Sequence, residues 1–485
     1  MNGYAKNGPR LMGVGPFIVF CVVAAFLGGA SRADELALVL FRPIGIGLLG
    51  WVLWSYPLTQ FRHGRAFCFA IIGLIVICTV QLIPLPPSIW TALPGRGEIS
   101  AIDRLIFGVE IWRPITVSPR ATWNTLFSLL SLLGGYLAFL ALAKSNNNLA
   151  LKSLLAISII SIMLSIVNLQ FGHTIFPLYS LAGIGEGGLF SNSNHFGIFS
   201  AISILVAVIL IKEDSLTKAR QARWYAFLAL VLLFLVGVVL SGSRLAFAAS
   251  AFACMIAAMV FARNLDFSNA TNSQSGLISR ALGLTAHSRW PGRFLLFGFY
   301  FSIIGCIATF LYVATLQREL SIGSFEAPDL SEDIRFRIIP VLLKLATEQW
   351  ATGFGFGSFG SIYPVYETDD IMINKYVNQA HNDGLQIVIE GGIAAGLVAI
   401  GLLIWLALRI VSLFRSGDVD RGLVAIGVVA VIGLGSVFDY VLRTPLMAFA
   451  IMCILTVLLS SKPSMRSEVC EEHCRKSGSN MNGVS

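Results

Sequence analysis

Residues 376–408 read YVNQAHNDGLQIVIEGGIAAGLVAIGLLIWLAL. From Gly384 to Leu408 the run is apolar and long enough to cross a bilayer core about 30 Å thick, which takes about 20 helical residues. Its mouth is different. Gln379, His381, Asn382 and Asp383 crowd the entrance, and Gln386 and Glu390 follow one and two turns further in. On a helix Asp383, Gln386 and Glu390 stand at i, i+3 and i+7, along one face. Polar groups in hydrocarbon are costly and turn toward a protein interior or a wet cavity. The stretch therefore reads as one wall of an active site at the outer surface of a membrane.

Comparable apolar runs recur along the whole chain. Of its 485 residues 56% are hydrophobic and 12% charged, against roughly 25% charged in soluble domains. Spans are expected near 11–30, 36–58, 66–84, 122–143, 150–170, 194–211, 224–241, 245–262, 294–315, 384–408, 422–438 and 444–460. The fold class is an all-α polytopic membrane protein of about 12 transmembrane helices. The span at 36–58 is the least regular, with Arg42 and Pro43 close to its start. The first span follows a basic start but is too long for a signal peptide, and Ala30-Ser31-Arg32-Ala33 is a poor cleavage match, so it is expected to be retained.

A formal charge of +8 would suggest nucleic acid in a soluble protein. Here its distribution speaks for topology instead, and no nucleic-acid partner is expected. With the amino terminus inside, Lys6, Arg10, Arg62, Arg65, Lys144, Lys152, Lys212, Arg263, Arg409, Arg415 and Arg421 all fall on the inner side. The opposite loops are nearly neutral or acidic. Both termini are then cytoplasmic, and the segment 317–383 is a large periplasmic loop. Ser331, followed by Glu332 and Asp333, is a possible cap for a helix running to Ala346. The segment 85–121, with its prolines, Trp90 and Trp112, suits an interfacial loop carrying a short amphipathic piece. Cys470, His473 and Cys474 in the tail are too few for a closed metal site, and neither metal nor cofactor is expected. Three regions follow: 1–170, amino-terminal spans; 171–460, the catalytic membrane region; and 461–485, a polar cytoplasmic tail.

Four polar clusters share the outer side. In GLFSNSNHFG, 188–197, the glycines permit a tight bend and Asn192 and Asn194 can cap the next helix; His195 reads as a neutral packed or capping residue. In LSGSRLAFAAS, 240–250, a narrow Gly-Ser turn points Arg244 into the bundle, although an arginine at a helix end can also snorkel to headgroups. In DIRFRIIPVLLKLATEQWATGFGFGSFG, 333–360, Arg335 and Arg337 serve equally as an anion grip or a solvated pair. The glycines after Trp350 let the backbone approach something closely, such as a lipid headgroup. A nucleotide loop is excluded because no strand precedes it. The fourth cluster is the opening stretch.

Arginine is always charged and grips phosphate oxygens in a planar fork. Imidazole can take a proton from an attacking hydroxyl near neutral pH. Together they suit transfer from a phosphorylated leaving group to an alcohol. No nucleotide sugar is available outside the cytoplasm, so a lipid pyrophosphate is the natural donor.

GLFSNSNHFG, SGSRLAFAA, the block from Arg335 to GFGFGSF, and QAHNDGLQIVIEGGIAAG, in that order and spacing, resemble the O-antigen ligase and polymerase superfamily. The resemblance covers roughly 185–400, and the QLIPLPPSIW and PITVSPRATW segments resemble some members. It implies an inner-membrane glycosyltransferase that moves a glycan from undecaprenyl pyrophosphate to a hydroxyl of lipid A-core or of a growing polysaccharide, without metal or nucleotide. It implies Arg244 and Arg335 on the pyrophosphate and His381 activating or orienting the acceptor. Arg337, Asn192, Asn194, Asn382, Asp383 and Glu390 complete the candidate substrate-binding set. One departure is notable: where the superfamily often has Trp four residues after the loop arginine, this chain has Ile339 followed by Pro340. A transporter or flippase of lipid-linked glycan is the competing reading; it would want charged groups through the middle of many spans.

Overall fold

The computed structural model describes residues 14–32, 35–143, 147–171, 187–213, 220–263, 335–369, 371–372 and 377–460. Eight of its helices are long and apolar enough to cross a membrane, and three shorter apolar ones accompany them. In chain order the first helices are the shorter α1 (Val14–Leu27) and the long α2 (Leu36–Ser55) and α3 (Arg65–Leu82). A small excursion follows: strand β1 (Pro84–Leu85), α4 (Pro87–Trp90), α5 (Gly97–Phe107) and strand β2 (Arg113–Pro114), antiparallel to β1. Then come α6 (Pro119–Ala143), α7 (Asn147–Phe171), α8 (Ser193–Glu213), α9 (Arg220–Ser241) and α10 (Arg244–Arg263). Beyond it are two short helices, α11 (Ile339–Glu348) and α12 (Phe359–Tyr366), and finally α13 (Asp383–Arg415), α14 (Val419–Phe438) and α15 (Pro445–Leu459).

Each expected span except one thus coincides with a helix to within a few residues, save that α13 runs on to Arg415, past the expected end at 408. The expected span 294–315, the cap at Ser331 and the tail after 460 lie outside the described residues. The irregular span holds: Pro43 sits inside α2, and Arg42, 7% exposed, donates from Nε to Ser128 Oγ and from Nη1 to Asn124 Oδ1, both at 3.1 Å. These bonds satisfy a charge that hydrocarbon would not tolerate. The 85–121 loop contains the expected amphipathic piece, α5, while Trp90 is fully buried with its Nε1 donating to Ile111 O at 2.8 Å.

Small residues let these helices come close, as expected where lipid supplies no hydrophobic drive between them. A side chain at Gly45 of α2 would run into Ser131 of α6, and one at Gly134 would meet the carbonyl of Gly45. The α8 helix is the centre of the bundle, 89% buried over its apolar window, whereas α13 is 11% buried and presents its length to lipid.

Helix α13 is broken where the sequence shows only a smooth apolar run. Gly392 has φ 62° and ψ −163°, a conformation open essentially to glycine. The loop 350–357 crosses at the break. Phe354 N donates to Ile389 O and Gly355 N to Glu390 O, both at 2.9 Å, and Ile393 N donates to Trp350 O at 2.7 Å. Gln81, at the end of α3, closes the seam: its Nε2 donates to Thr352 O and Glu390 O, and its Oε1 accepts from Phe356 N. Every backbone group freed by the break must find a partner at membrane depth, and here the loop supplies them. Gly353, Gly355 and Gly357, all at positive φ, press against the backbone or side chains at 390–392, Thr116, Ala121 and Thr125. The close approach expected of these glycines is made to the protein itself.

The bundle has two unlike ends. At one, Lys212 and Arg263 pair with Asp420, Arg409 reaches Leu459 O and Arg421 reaches Ser460 O. At the other, the starts of α2, α6, α8, α10, α13 and α15 meet the ends of α1, α3, α7, α9 and α14. Cross-links there include Leu446 N to Gly28 O and Ser191 N to Gly29 O. All four polar clusters singled out from the sequence lie at this second end.

Candidate functional site

The centre of the polar end is a residue the sequence reading passed over. Asp439 ends α14, its N–H closing the last turn on Gly435 O at 2.8 Å, and it is completely buried. His381 Nδ1 stands 3.3 Å from its Oδ1, and His195 Nε2 stands 4.0 Å from the same oxygen. The other oxygen, Oδ2, accepts from Asn194 Nδ2 at 2.7 Å and from Asn192 Nδ2 at 3.5 Å. Tyr440 N also donates to Oδ1, at 2.9 Å. A buried carboxylate needs this many partners to remain ionised.

Its charge is set by those neighbours. Burial pushes the Asp439 carboxyl up, but the close approach of His381 and the charges of His195, His381 and Arg335 overturn that, so it lies well below the usual carboxylate range. The Tyr440 phenol goes the other way: burial and the Asp439 charge raise it, against hydrogen bonds from Asn192 and Ser31. Asp439 is a fixed anion, and Tyr440 a neutral phenol whose oxygen accepts from Asn192.

The chain positions each member by local means. The left-handed Gly188, φ 56°, turns the chain into α8, where Asn192 Oδ1 accepts from Asn194 N at 2.8 Å. The expected cap is present, and the same Asn192 reaches Asp439 and, at 3.3 Å, the Tyr440 hydroxyl. His195 is fully buried, as a packed residue should be, yet it faces polar groups on both edges: Nδ1 meets Thr444 Oγ1 at 2.7 Å. Tyr440 stands edge-on to both imidazoles, with centroids 5.1 Å from His195 and 4.9 Å from His381.

His381 adopts φ 49°, the one positive φ outside glycine among the described residues. Such a backbone costs about 1–3 kcal/mol and persists where the surroundings over-determine it. Asn382 fixes it from one side, capping α13 by accepting from Leu385 N at 2.8 Å and donating to Val437 O at 3.1 Å. Gln386 fixes it from the other, its Oε1 accepting from Ala380 N at 2.9 Å and its Nε2 donating to Gln379. The side chain stays 23% exposed. With Nδ1 toward the carboxylate, Nε2 is the ring nitrogen turned away from it.

Asp383 and Glu390 do lie on one buried face of α13, as the spacing implies, but both look toward protein. Glu390 Oε2 takes Arg443 Nη1 at 2.5 Å, and its Oε1 accepts from Gln386 Nε2 at 3.1 Å and Phe359 N at 3.3 Å. Asp383 accepts from Leu442 N at 3.1 Å, with Arg443 Nε 3.7 Å away. The acidic stripe thus clamps the 439–443 turn that presents Asp439.

Of the two loop arginines, Arg335 is half-buried, has its Nε among the buried atoms without a hydrogen-bond partner, and acts electrostatically on both Asp439 and Tyr440. The ring of Phe336 meets that of Phe438, at 6.4 Å between centroids, beside the same carboxylate. Arg337 is exposed. Pro340 falls in the first turn of α11, the helical position it suits best, so the Ile-Pro departure marks a helix start. Arg244 opens α10 at the same end, exposed, after a turn at Gly242 with φ 61°. A side chain at Gly197 would strike Ala246 and Ser241, so this turn lies against the first turns of α8.

The residues that sequence reasoning missed are Asp439, Tyr440, Arg443 and Gln81. A signal existed for the first three: FDYVLRTP, 438–445, places an acid, a phenol and a cation in the short outer connection between two spans. An acid abutting hydrocarbon is itself a functional hint. Among the described residues no group of acids, histidines and cysteines is arranged to hold a metal. Residues 228–400, which include Arg244, Arg335 and His381, match the family model described as O-antigen ligase. No curated protein matches the chain.

Proposed function

We propose that this chain, whose residues 228–400 match the family model described as O-antigen ligase, carries out glycan transfer of that general type, moving a glycan from undecaprenyl pyrophosphate to an acceptor hydroxyl at the periplasmic end of the bundle. The observation that carries the proposal is the His381–Asp439 pair, 3.3 Å apart, in a backbone held at positive φ. Asp439 keeps the proton on Nδ1, leaving Nε2 as the base. The acceptor oxygen attacks the anomeric carbon, and its proton passes to His381 Nε2. The bond between that carbon and the phosphate oxygen breaks, and the carrier pyrophosphate leaves with the electron pair. Arg335, with Arg244 at the same end, stabilises the charge gathering on the leaving group.

The basic end, with Lys212, Arg263, Arg409 and Arg421, then faces the cytoplasm of a bacterial inner membrane, as short-loop charge bias requires. Lipid A-core and a growing polysaccharide are the acceptors that fit. The described charges buried within spans also favour transfer over transport. Arg42 and Glu390 both sit toward the polar end and are held by Ser128, Asn124 and Arg443, rather than strung across the bilayer.

The test is reconstitution. The purified chain in liposomes, given a glycan on polyprenyl pyrophosphate and an acceptor on the same face, should form the glycoside and release the free carrier pyrophosphate. Movement of the donor between leaflets with no glycoside formed would replace this reading with transport.

A further inference from the structure

At the polar end a cavity of about 410 Å³ opens against Asn378 and Gln379, in the segment that leads to His381. Its wall includes Gln379, two residues before His381, and Arg32, next to the Ser31 that bonds Tyr440. Three guanidinium groups line it, Arg32, Arg42 and Arg120, from three separate parts of the chain. The remaining polar lining consists of hydroxyls and carboxamides; no carboxylate is among the described lining residues. All three arginines lie outside residues 228–400.

Three features make this an anion site in waiting. Arg42 is held by the hydrogen bonds from its Nε and Nη1 to Ser128 and Asn124, and Asn124 is itself part of the wall, so the guanidinium is set before any ligand arrives. Second, the first turns of two helices end at the cavity: Ser118 and Arg120 from the start of α6, Gly360 and Ser361 from the start of α12. Helix N-termini carry about half a positive charge and favour anions. Third, the guanidinium fork matches phosphate oxygens and is the cation most readily desolvated around them.

We propose that this cavity binds a phosphate or pyrophosphate group carried by the acceptor, so that the transferase holds two anions, the donor's on the Arg244 and Arg335 side and the acceptor's here. The proposal rests on the transfer reading for the word acceptor; the anion site itself does not. It assigns the acceptor class as phosphorylated: a second lipid-pyrophosphate glycan or a phosphate-bearing lipid core.

The experiment has two arms. In the first, inorganic pyrophosphate is titrated into the full chain in nanodiscs by calorimetry. Wild type should bind two equivalents, and the double variant R32A/R120A, whose side chains are exposed, should bind one. R335A should lose the other. Equal binding by wild type and R32A/R120A would overturn the site, whether or not the chain proves to be a transferase.

In the second arm, R32A/R120A in the reconstituted transfer assay should raise the acceptor KM about tenfold or more and leave the donor KM unchanged. Using a lipid-pyrophosphate acceptor and a phosphorylated lipid core in turn, each with its dephosphorylated counterpart, identifies the source. The acceptor that is real loses its advantage on dephosphorylation in wild type but not in the variant. A rise in donor KM alone would reassign the cavity to the donor and overturn the proposal. Persistent pyrophosphate binding in a chain with no transfer activity would sink the functional reading while leaving the site.

Discussion

Helix α14 carries a buried carboxylate at each end, and the two are treated differently. Asp420, in the first turn, is met by Lys212 Nζ and by Arg263 Nε, the latter at 2.9 Å. Asp439, at the last turn, is met by two imidazoles and two carboxamides, with Arg335 acting on it across a longer reach. Permanent cations neutralise Asp420 once and for all, and the helix N-terminus adds to the effect. The partners of Asp439 are instead two imidazole rings and two carboxamides, none of them a permanent cation. The contrast separates a carboxylate that pins helices together from one that, in the proposed reaction, holds a base in a single tautomer.

The sharpest way to break the comparison is to neutralise each acid. Asp439→Asn should lower transfer about 10²–10⁴-fold, the range for a lost general acid–base contribution, while the protein still inserts and purifies. Asp420→Asn should leave turnover of the folded protein within about twofold and cost about 1–2 kcal/mol of stability, since its cations are partly solvated. If Asp420→Asn also abolishes transfer in well-folded protein, the distinction fails.

A third acid, Glu390 on α13, stands toward the same end as Asp439 and is tied to Arg443. Arg443→Met leaves that carboxylate buried and uncompensated, which typically costs about 3–5 kcal/mol. Thermal unfolding in detergent should register it. An unchanged midpoint would mean that the clamp on the 439–443 turn is not what holds Asp439 in place.

The loop arginines sharpen the comparison further. Arg335→Ala should lose roughly 10²-fold in turnover, the scale of removing one donor to a developing anion. Arg335→Lys should keep part of it, and Arg337→Ala almost all. Equal losses at both positions would mean that burial does not tell them apart.

The smallest effect is in stability against pH. The Asp439 carboxyl is lowered in the folded chain, so its contribution is complete above the unfolded value near 3.9 and is lost as pH falls below it. Asp439→Asn should therefore flatten the acid limb of the melting profile. An identical limb in wild type and variant would show that the carboxyl is not held down by its neighbours.

The spans were legible because a bilayer imposes one length and one composition, and even Pro43 could not hide α2. The placing of His381 and Arg335 at the polar end was legible because costly polar residues beside hydrocarbon need a reason. Gly392 was not: two glycines inside an apolar run look like ordinary helix until the 350–357 loop crosses them, and that crossing pairs residues some 40 apart in the chain. Gln81 and Asp439 were missed for a related reason. Each sits at the end of a span and reads as a boundary residue; its role exists only through partners on distant helices, Glu390 and Phe356 for one, His381 and Asn194 for the other. The acidic stripe was read correctly as a face and misjudged in direction, because periodicity gives a side and says nothing about what stands opposite.

The most direct test of the central claim, that Asp439 acts through His381, is a double-mutant cycle on kcat/KM in the reconstituted transfer reaction. His381→Ala and Asp439→Asn should each cause a large loss, and the double variant should be scarcely worse than His381→Ala alone, since residues acting as one unit are not additive. Losses that multiply, or a His381→Ala protein that transfers at the wild-type rate, would contradict it.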